Sequence, residues 1–434
     1  MSINFYKKYY GLFLLIIDLI IFYLSLLLVV AFRFQNNISE QIVFDHLFAF
    51  TPLIALSMFL YFINNLYDYG FKLKGSDFVA FFGRIQLFIF LIGIVYFYIM
   101  PIGLTPKTNL ILFWILASLL IYFNHTFVSY KSPLEKINVL FLKDTKLHSE
   151  IQKTVNDNDF FGIKIFIYPE TSDLEYLKDF IIQNNIQTVV LDDKKVSNDK
   201  LYSLLFDNIN FQTFEVFYES IFRKIPVEVI EHDWFLEKIN PNKYSLSVFA
   251  KRLFDVFLSL LFLIITFPLW IIVILLIKLT SKGPIFYLSK RCGKNNKDIV
   301  LYKFRTMQEN ARQDGPAWTL PGDKRITLIG QFLRRFYIDE WPQFINILKG
   351  DISFVGPRPE EKELANVFKE NINFYNIRHL VTPGLTGWAQ INQKNTHSIN
   401  EAQEKLKYDL FYIKNYSIWL DLYIIIKTLK VPFV

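Results

Sequence analysis

A chain of 434 residues has room for two or three domains. Hydrophobic residues make up 52% of it and aromatic residues 18%, which leaves the class open, but apolar residues crowd into the first 130 positions and again into 253–279. A net charge of +7 beside such runs points to an anionic membrane surface or a phosphate-bearing substrate and away from nucleic acid; Cys292, the single cysteine, excludes an intrachain disulfide and a cysteine-based metal centre.

Four apolar stretches come first, at about 11–32, 47–66, 78–100 and 110–128. Each reaches the roughly 20 residues that a membrane-crossing helix needs. The first is too long for a secretory leader and no small-residue cleavage site follows it, so a cleavable signal is not expected. Lys7 and Lys8 precede the first stretch, Lys72, Lys74 and Arg84 lie in or beside the second loop, and Lys131, Lys136 and Lys143 follow the fourth. The first and third loops carry little beyond Arg33 and Lys107. Basic residues gather on the cytoplasmic side of a membrane. Residues 1–132 are therefore expected to form a four-helix transmembrane domain with both ends in the cytoplasm. Asp18, inside the first stretch, reads as a helix–helix hydrogen-bonding residue, and the spans show no paired charges of the kind a transporter uses.

From Ile137 onward short β-rich runs alternate with polar helical ones. The segments 137–142, 163–168, 187–191 and 214–217 read as strands, and 174–183 and 198–206 as helices between them. This alternation predicts a small parallel sheet over 133–240, with a Rossmann-like shape. The first strand runs into Lys143-Asp144-Thr145-Lys146, without the glycines that let a backbone approach a pyrophosphate. The domain is accordingly read as degenerate, without NAD, in a structural or regulatory role.

A linker with Asn240-Pro241-Asn242 opens the last domain, 241–434. Its apolar run at about 253–279 is long enough to span a bilayer, but Pro268 stands at its middle, where it removes a helix hydrogen bond. Both flanks are basic: Lys251 and Arg252 before, then Lys278, Lys282, Lys290 and Arg291 after. A re-entrant membrane helix, broken at Pro268 with both ends cytoplasmic, fits both features. The alternative is a fifth span with a proline kink.

Four segments beyond it carry polar chemistry. In Arg334-Arg335-Phe336-Tyr337-Ile338-Asp339-Glu340-Trp341-Pro342-Gln343, Pro342 suits the first turn of a helix running through Ile345 and Leu348. Asp339 and Glu340 then stand at that helix's start, where a carboxylate stays ionised and can hold Mg2+ or attack phosphorus. Arg334 and Arg335 are candidates to clamp phosphate oxygens. In Gly350-Asp351-Ile352-Ser353-Phe354-Val355-Gly356-Pro357-Arg358-Pro359, Pro357 and Pro359 hold Arg358 in a stiff loop, a form suited to bidentate phosphate binding. Lys303-Phe304-Arg305-Thr306-Met307 follows a strand-like run and adds Lys303 and Arg305. In Pro383-Gly384-Leu385-Thr386-Gly387-Trp388-Ala389-Gln390-Ile391-Asn392, the glycines permit close backbone approach to a ligand, and Thr386, Gln390 and Asn392 offer hydrogen bonds. Each motif alone has a bland reading, as a helix cap, a turn or a solvated arginine. A final stretch, 416–429, mixes Ile, Leu, Trp and Tyr with Lys427 and suits either an amphipathic surface helix or a core helix.

Taken in order, Lys251-Arg252 with Asp255, the Pro268 run, Ser281-Lys282-Gly283-Pro284-Ile285-Phe286, KFRTM, IDEWPQ, LKGDISFVGPRP and PGLTGWAQIN resemble the bacterial sugar transferases, the monotopic polyprenyl phosphate hexose-1-phosphate transferases. The resemblance runs from about Lys251 to the C-terminus. Four N-terminal spans and a degenerate nucleotide-binding-like domain resemble the long form of that family, which includes undecaprenyl-phosphate glucose- and galactose-phosphate transferases. The resemblance implies a fold of membrane helices, a Rossmann-like domain and a mainly helical catalytic domain. It also implies a reaction: a sugar-1-phosphate passes from a UDP-sugar to undecaprenyl phosphate with release of UMP, the first membrane step of exopolysaccharide, capsule or O-antigen synthesis. Asp339 would be the nucleophile, forming a covalent phosphosugar intermediate. Glu340 would assist, Arg358 would hold a phosphate, and Mg2+ would bind at Asp339 and Glu340. The expected location is the bacterial inner membrane with the catalytic domain in the cytoplasm, as a monomer or a homodimer. Tyr337, Ile338 and Trp341 depart from the family pattern of a small hydroxyl residue and leucines, and are read as altering pocket shape. Competing readings are a membrane glycosyltransferase that releases UDP, a non-catalytic membrane scaffold, and a four-helix transporter with a cytoplasmic sensor.

Overall fold

The computed structural model describes residues 3–67, 75–99, 107–131, 137–142, 146–156, 163–168, 176–191, 209–239, 245–308, 323, 325–393 and 398–428. The chain divides into two units, Met1–Thr213 and Phe214–Val434.

In the first unit, α1 (Ile3–Phe34), α2 (Glu40–Ile63), α3 (Gly75–Ile99) and α4 (Lys107–Lys131) coincide with the four apolar stretches. Ser39 starts α2 by accepting a hydrogen bond from the Ile42 amide at 3.3 Å, which satisfies one of the free donors of the first turn. Leu14, Phe50, Ile54, Ile89, Phe113 and Ile121 are buried between the helices, while Leu28, Phe48, Ile94 and Phe123 remain exposed. Helices apolar on both inner and outer faces suit a lipid solvent. Among the described residues five helices, these and one in the second unit, are long and apolar enough to cross a membrane. Asp18 bonds across helices as expected: Oδ2 lies 2.8 Å from His125 Nε2, and Oδ1 accepts from Asn124 Nδ2 at 3.0 Å. The two halves of this pair stand 107 residues apart, so only the folded bundle brings them together.

The same unit contains β1 (Ile137–Phe141), α5 (Lys146–Asn156), β2 (Ile163–Ile167), α6 (Leu177–Gln183), β3 (Ile186–Leu191) and β4 (Asn210–Thr213). The strands form one parallel sheet in the order β2-β1-β3-β4. Three strands lie where the alternation places them. The fourth, expected at 214–217, is instead β4 just before it, and Phe214 begins a helix, α7 (Phe214–Phe222). Phe214, Phe217 and Tyr218 are buried at helical spacing, so the apolar run there has a helical period. The helix expected at 198–206 lies outside the described residues.

The second unit begins with α7 and α8 (His232–Lys238), which the sequence reading assigned to the middle domain. They pack here: Ile225, Val227 and Trp234 join a core with Ile347, Val355 and Leu410. The Ile225 amide bonds the Lys407 carbonyl at 3.0 Å. Next comes α9 (Ser245–Thr280), a 36-residue helix that stays helical through Pro268, so the expected break is not an interruption of the helix. Its first turns are tied to the unit by Lys251 Nζ on Asp421 Oδ2 (2.6 Å), by Arg252 on the carbonyls of Ile347 (2.5 Å) and Leu348 (2.6 Å), and by the Phe354 amide on Asp255 Oδ1 (3.1 Å). Its last turns return to the same unit, where Trp270, Val273 and Ile277 pack with Phe304 and Leu333. Between these contacts Ile264, Phe267, Ile271 and Leu275 are exposed. Both ends of α9 therefore rest on one body while its outer face offers only hydrocarbon.

A hairpin of β5 (Phe286–Cys292) and β6 (Asp298–Phe304) follows, with Phe286 opposite Phe304. Then come α10 (Leu328–Arg335), α11 (Gln343–Lys349), β7 (Ser353–Val355), α12 (Lys362–Asn371), β8 (Gly384–Thr386), α13 (Trp388–Asn392), α14 (Ile399–Lys414) and α15 (Ile418–Thr428). The pair β7–β8 is parallel, with Ser353 beside Gly384 and Val355 beside Thr386. The terminal stretch read as surface or core is α15, with Ile424 and Lys427 buried and Trp419 exposed.

The glycines of the PGLTG segment permit this close pairing. A Cβ on Gly384 would lie 2.1 Å from the Gly356 nitrogen, and one on Gly387 would lie 2.2 Å from the Gly356 carbonyl oxygen. Gly384→Ala is expected to lower stability by about 1–3 kcal/mol, as overpacking does. Gly83→Ala, where a Cβ meets nothing within 4 Å, is expected to be neutral or slightly stabilising because alanine favours a helix. Thermal melts of both variants in detergent test the difference; equal melting points would contradict the close packing.

Candidate active site

Thr327 caps α10 by accepting from the Gly330 amide at 2.9 Å, and the helix ends at Arg335. Tyr337 then takes a left-handed conformation (φ 55°), which turns the chain into a short 3-10 helix, Ile338–Glu340. Ile338 and Trp341 recur three residues apart, the repeat of that helix, and both pack onto the cluster of Trp270, Phe304 and Leu333. Asp339 and Glu340 occupy the remaining positions of the turn. They thus stand just ahead of α11, one turn earlier than expected. Of the three unusual residues around the pair, Ile338 and Trp341 fill the supporting core, and only Tyr337 is exposed beside the carboxylates.

The two neighbouring carboxyls have different environments. Oε1 of Glu340 accepts from Lys303 Nζ at 2.6 Å and from Arg358 Nη2 at 2.7 Å. Burial pushes this carboxyl up, but Arg358 and Lys303 outweigh burial and hold it well below the usual carboxylate range. Asp339 is only 8% exposed. Its carboxylate has no hydrogen-bond partner among the described residues. Burial first, and the Glu340 charge second, push it up to about 6 against the pull of Lys303, Arg334 and Arg358. The expectation that a helix start keeps both groups equally ionised is therefore replaced by a split pair: one fixed anion and one that titrates near neutrality.

The other predicted residues divide into two sets. Lys303, Arg334 and Arg358 surround the pair. Arg334 Nε donates to Thr306 Oγ1 at 2.8 Å, and Arg358 Nη1 donates to the Leu385 carbonyl at 3.2 Å. Burial lowers the Arg334 pKa while Asp339 opposes that shift. The Pro357 carbonyl accepts from the Gly384 amide at 3.0 Å, which holds the loop between Pro357 and Pro359. Outside the cluster, Arg335 is exposed, with its guanidinium 5.9 Å from the Phe336 ring centre. Arg305 donates from Nη2 to the Ser281 carbonyl (2.9 Å) and hydroxyl (2.8 Å), locking the loop that follows α9. The side chains expected to serve a ligand in the PGLTGWAQIN segment bond internally: Thr386 with Thr428 at 2.6 Å, Gln390 with the Leu385 carbonyl at 3.3 Å, Asn392 with the Trp388 carbonyl at 2.8 Å. Lys251, Arg252 and Asp255 are the anchors of α9. Sequence reasoning passed over Thr306, which aims Arg334, and Arg378, whose Nη2 donates to the Arg358 carbonyl at 3.0 Å. The available signal was an arginine, Arg378, five residues ahead of the PGLTG segment.

The split pair makes opposite predictions for stability, measured without divalent cations. A raised folded pKa means that ionising Asp339 opposes folding; the native state is favoured below the unfolded pKa of about 4, and that gain is lost as pH rises through about 6. Asp339→Asn should therefore stabilise the protein at pH 8, on the order of 3 kcal/mol at most, with no gain below pH ~4. Glu340 has the depressed value, so its contribution is present above its unfolded pKa and disappears in strong acid. Glu340→Gln should lower the melting point at pH 8. A destabilised Asp339→Asn protein would contradict the assignment.

The family model for bacterial sugar transferases matches residues 246–434. Over 182 residues the chain is 42% identical to the UDP-N-acetylgalactosamine-undecaprenyl-phosphate N-acetylgalactosaminephosphotransferase of Aeromonas hydrophila, covering 42% of this chain and 43% of that one. It is 38% identical over 186 residues to the UDP-glucose:undecaprenyl-phosphate glucose-1-phosphate transferase of Escherichia coli K12, covering 42% and 40% respectively. The match thus spans about two fifths of these relatives. The exopolysaccharide production protein PSS of Rhizobium leguminosarum bv. phaseoli is 40% identical over 189 residues, and here 42% of this chain covers 94% of the relative. With a relative matched nearly end to end by the unit that holds Asp339, Glu340 and Arg358, this chain belongs to the bacterial sugar transferase family.

Proposed function

We propose that the protein transfers a sugar-1-phosphate from a UDP-sugar to undecaprenyl phosphate, releasing UMP. The carrying observation is the split pair: Asp339, buried and without a hydrogen-bond partner among the described residues, beside Glu340 neutralised by Lys303 and Arg358. A nucleophilic carboxylate must be ionised yet poorly solvated, and a group titrating near 6 is both at cytoplasmic pH. An Asp339 oxygen attacks the phosphorus that carries the sugar. The bond from that phosphorus to the bridging oxygen breaks, and UMP leaves with the electron pair. An oxygen of undecaprenyl phosphate then attacks the same phosphorus, and the acyl-phosphate bond breaks, restoring the carboxylate. Arg358 and Arg334 offer charge to the phosphoryl oxygens, while Lys303 and Arg358 keep Glu340 from repelling the substrate.

The donor set also fits Mg2+, which commonly uses one or two carboxylates, water and substrate phosphates. Asp339 would hold it, with Glu340 contributing through the oxygen that the two cations leave free. Bound there, Mg2+ would neutralise phosphate charge and polarise phosphorus.

The lipid acceptor accounts for α9. At 36 residues it is about 54 Å long, against a hydrocarbon core of about 30 Å. Contacts from Lys251 to Ile277 with one body support a helix that dips into the bilayer and returns, rather than a crossing. Pro268, about two thirds of the way along it, removes one backbone donor and is where a bend forms most readily. The basic flanks favour the cytoplasmic face of the inner membrane.

Purified protein in lipid nanodiscs, given a panel of UDP-sugars, undecaprenyl phosphate and Mg2+, is expected to release UMP only when the lipid phosphate is present in turnover amounts. Asp339→Asn should lose at least about 10³-fold, and Arg358→Ala about 10²–10³-fold. With wild type, kcat/KM should rise with pH as Asp339 ionises, with a midpoint no higher than about 6 because a bound cation favours the carboxylate. UDP release would place the protein among glycosyltransferases, and turnover retained by Asp339→Asn would move the nucleophile elsewhere.

A further inference from the structure

The Arg358 guanidinium can be no better placed than its backbone, and that backbone is flanked by Pro357 and Pro359, which have no amide proton to donate. The segment therefore depends on its carbonyls for anchorage. Pro357 accepts from Gly384 and Glu360 from the Cys292 amide, at 3.0 and 3.1 Å. The Arg358 carbonyl itself accepts from Nη2 of Arg378 at 3.0 Å. Arg378 lies in a 3-10 helix, Tyr375–Leu380, and is 3% exposed. Its remaining donors are occupied: Nε and Nη2 reach Asp409 Oδ2 at 3.0 and 2.8 Å, and Nη1 reaches the Tyr375 hydroxyl at 2.8 Å. Asp409 is itself buried. Glu360, 3.8 Å from Nη1, also pairs with Lys405.

A guanidinium held at all three nitrogens and shielded from solvent does not reach a substrate. We propose that Arg378 is a positioning residue for phosphosugar transfer: through the Arg358 carbonyl it fixes the arm that carries the Arg358 charge to Glu340 and to the substrate phosphate. The path is continuous. Asp409 aims Arg378, Arg378 holds the Arg358 carbonyl, and Arg358 Nη2 meets Glu340 Oε1 at 2.7 Å. Three partners at three angles need the planar fork of arginine. The single nitrogen of lysine keeps the charge opposite Asp409 but cannot also hold the tyrosine and the carbonyl. This inference rests on the activity proposed above.

Arg378→Lys is the test, because it retains a buried cation and so retains the fold. Its kcat is expected to fall about 10- to 100-fold, as displaced catalytic groups do, with donor KM within about twofold because the charge matters most as the phosphorus reacts. In an Arg358→Lys background the same substitution should change kcat by less than about twofold, since coupled residues are not additive. Amide hydrogen exchange over 354–361 should quicken in Arg378→Lys while the rest of the unit keeps its protection. Equal losses in both backgrounds, or unchanged exchange over 354–361, would overturn the proposal. Should Arg378→Lys fail to fold, Asp409→Asn leaves the arginine in place and loosens its aim; the same exchange signature is expected, and its absence overturns the proposal equally. Wild-type protein that releases no nucleotide would count against the activity instead, because the exchange comparison is read without turnover.

Discussion

Two cations meeting on one oxygen of Glu340 are the interaction on which the site depends. Lys303 arrives from β6 and Arg358 from the loop after β7, so a strand and a loop remote in sequence are drawn to the turn between α10 and α11. Without them two adjacent buried carboxylates would repel, and at least one would take up a proton. With them the charge of Glu340 is settled, and Asp339 is left as the group whose ionisation responds to pH near neutrality. The turn's apolar residues, Ile338 and Trp341, secure the same arrangement from below by packing on Trp270 and Phe304.

That packing joins the turn to the long apolar helix α9. Trp270 belongs to α9, whose first turns are pinned by Asp255 and Lys251 and whose last turns support the floor of the site. A lipid phosphate lies at the level of the headgroups, so a soluble fold would have to extract it from there. In the function proposed above, a helix with apolar residues outward and both ends on the unit that holds the carboxylates would bring them to that level instead. The four-helix bundle carries its own buried polar pair, Asp18 with His125, which ties α1 to α4 within an apolar setting.

Much of this was legible in the sequence, for physical reasons. Long apolar runs and basic loops have few interpretations, and the alternation after Ile137 placed three strands of the parallel sheet. The carboxylate pair, Arg358 and Lys303 stood out because their motifs combine charge with Pro and Gly in a fixed order. Other features depend on tertiary contacts that no local pattern encodes. Pro268 reads as a break, yet flanking turns and the packing of Trp270 keep α9 helical. Gly384 and Gly387 read as a ligand cradle but are small because the Gly356 backbone presses on them. Thr386, Gln390 and Asn392 looked like ligand-binding groups and bond within the fold. The unequal ionisation of Asp339 and Glu340 arises from partners of Glu340 that lie 37 residues upstream and 18 downstream, so adjacency in sequence gave no hint of it.

In the proposed transfer, an Asp339 oxygen is the nucleophile of a covalent step. The direct measurement is peptide mass spectrometry after brief incubation of the wild-type protein with a UDP-sugar and Mg2+ in the absence of undecaprenyl phosphate, with an acid quench. One phosphosugar should appear on the peptide containing Asp339, together with an equal amount of UMP, and should vanish when the lipid phosphate is added. Full turnover with lipid phosphate but no adduct and no UMP in its absence would contradict the account and point to direct transfer between the two substrates.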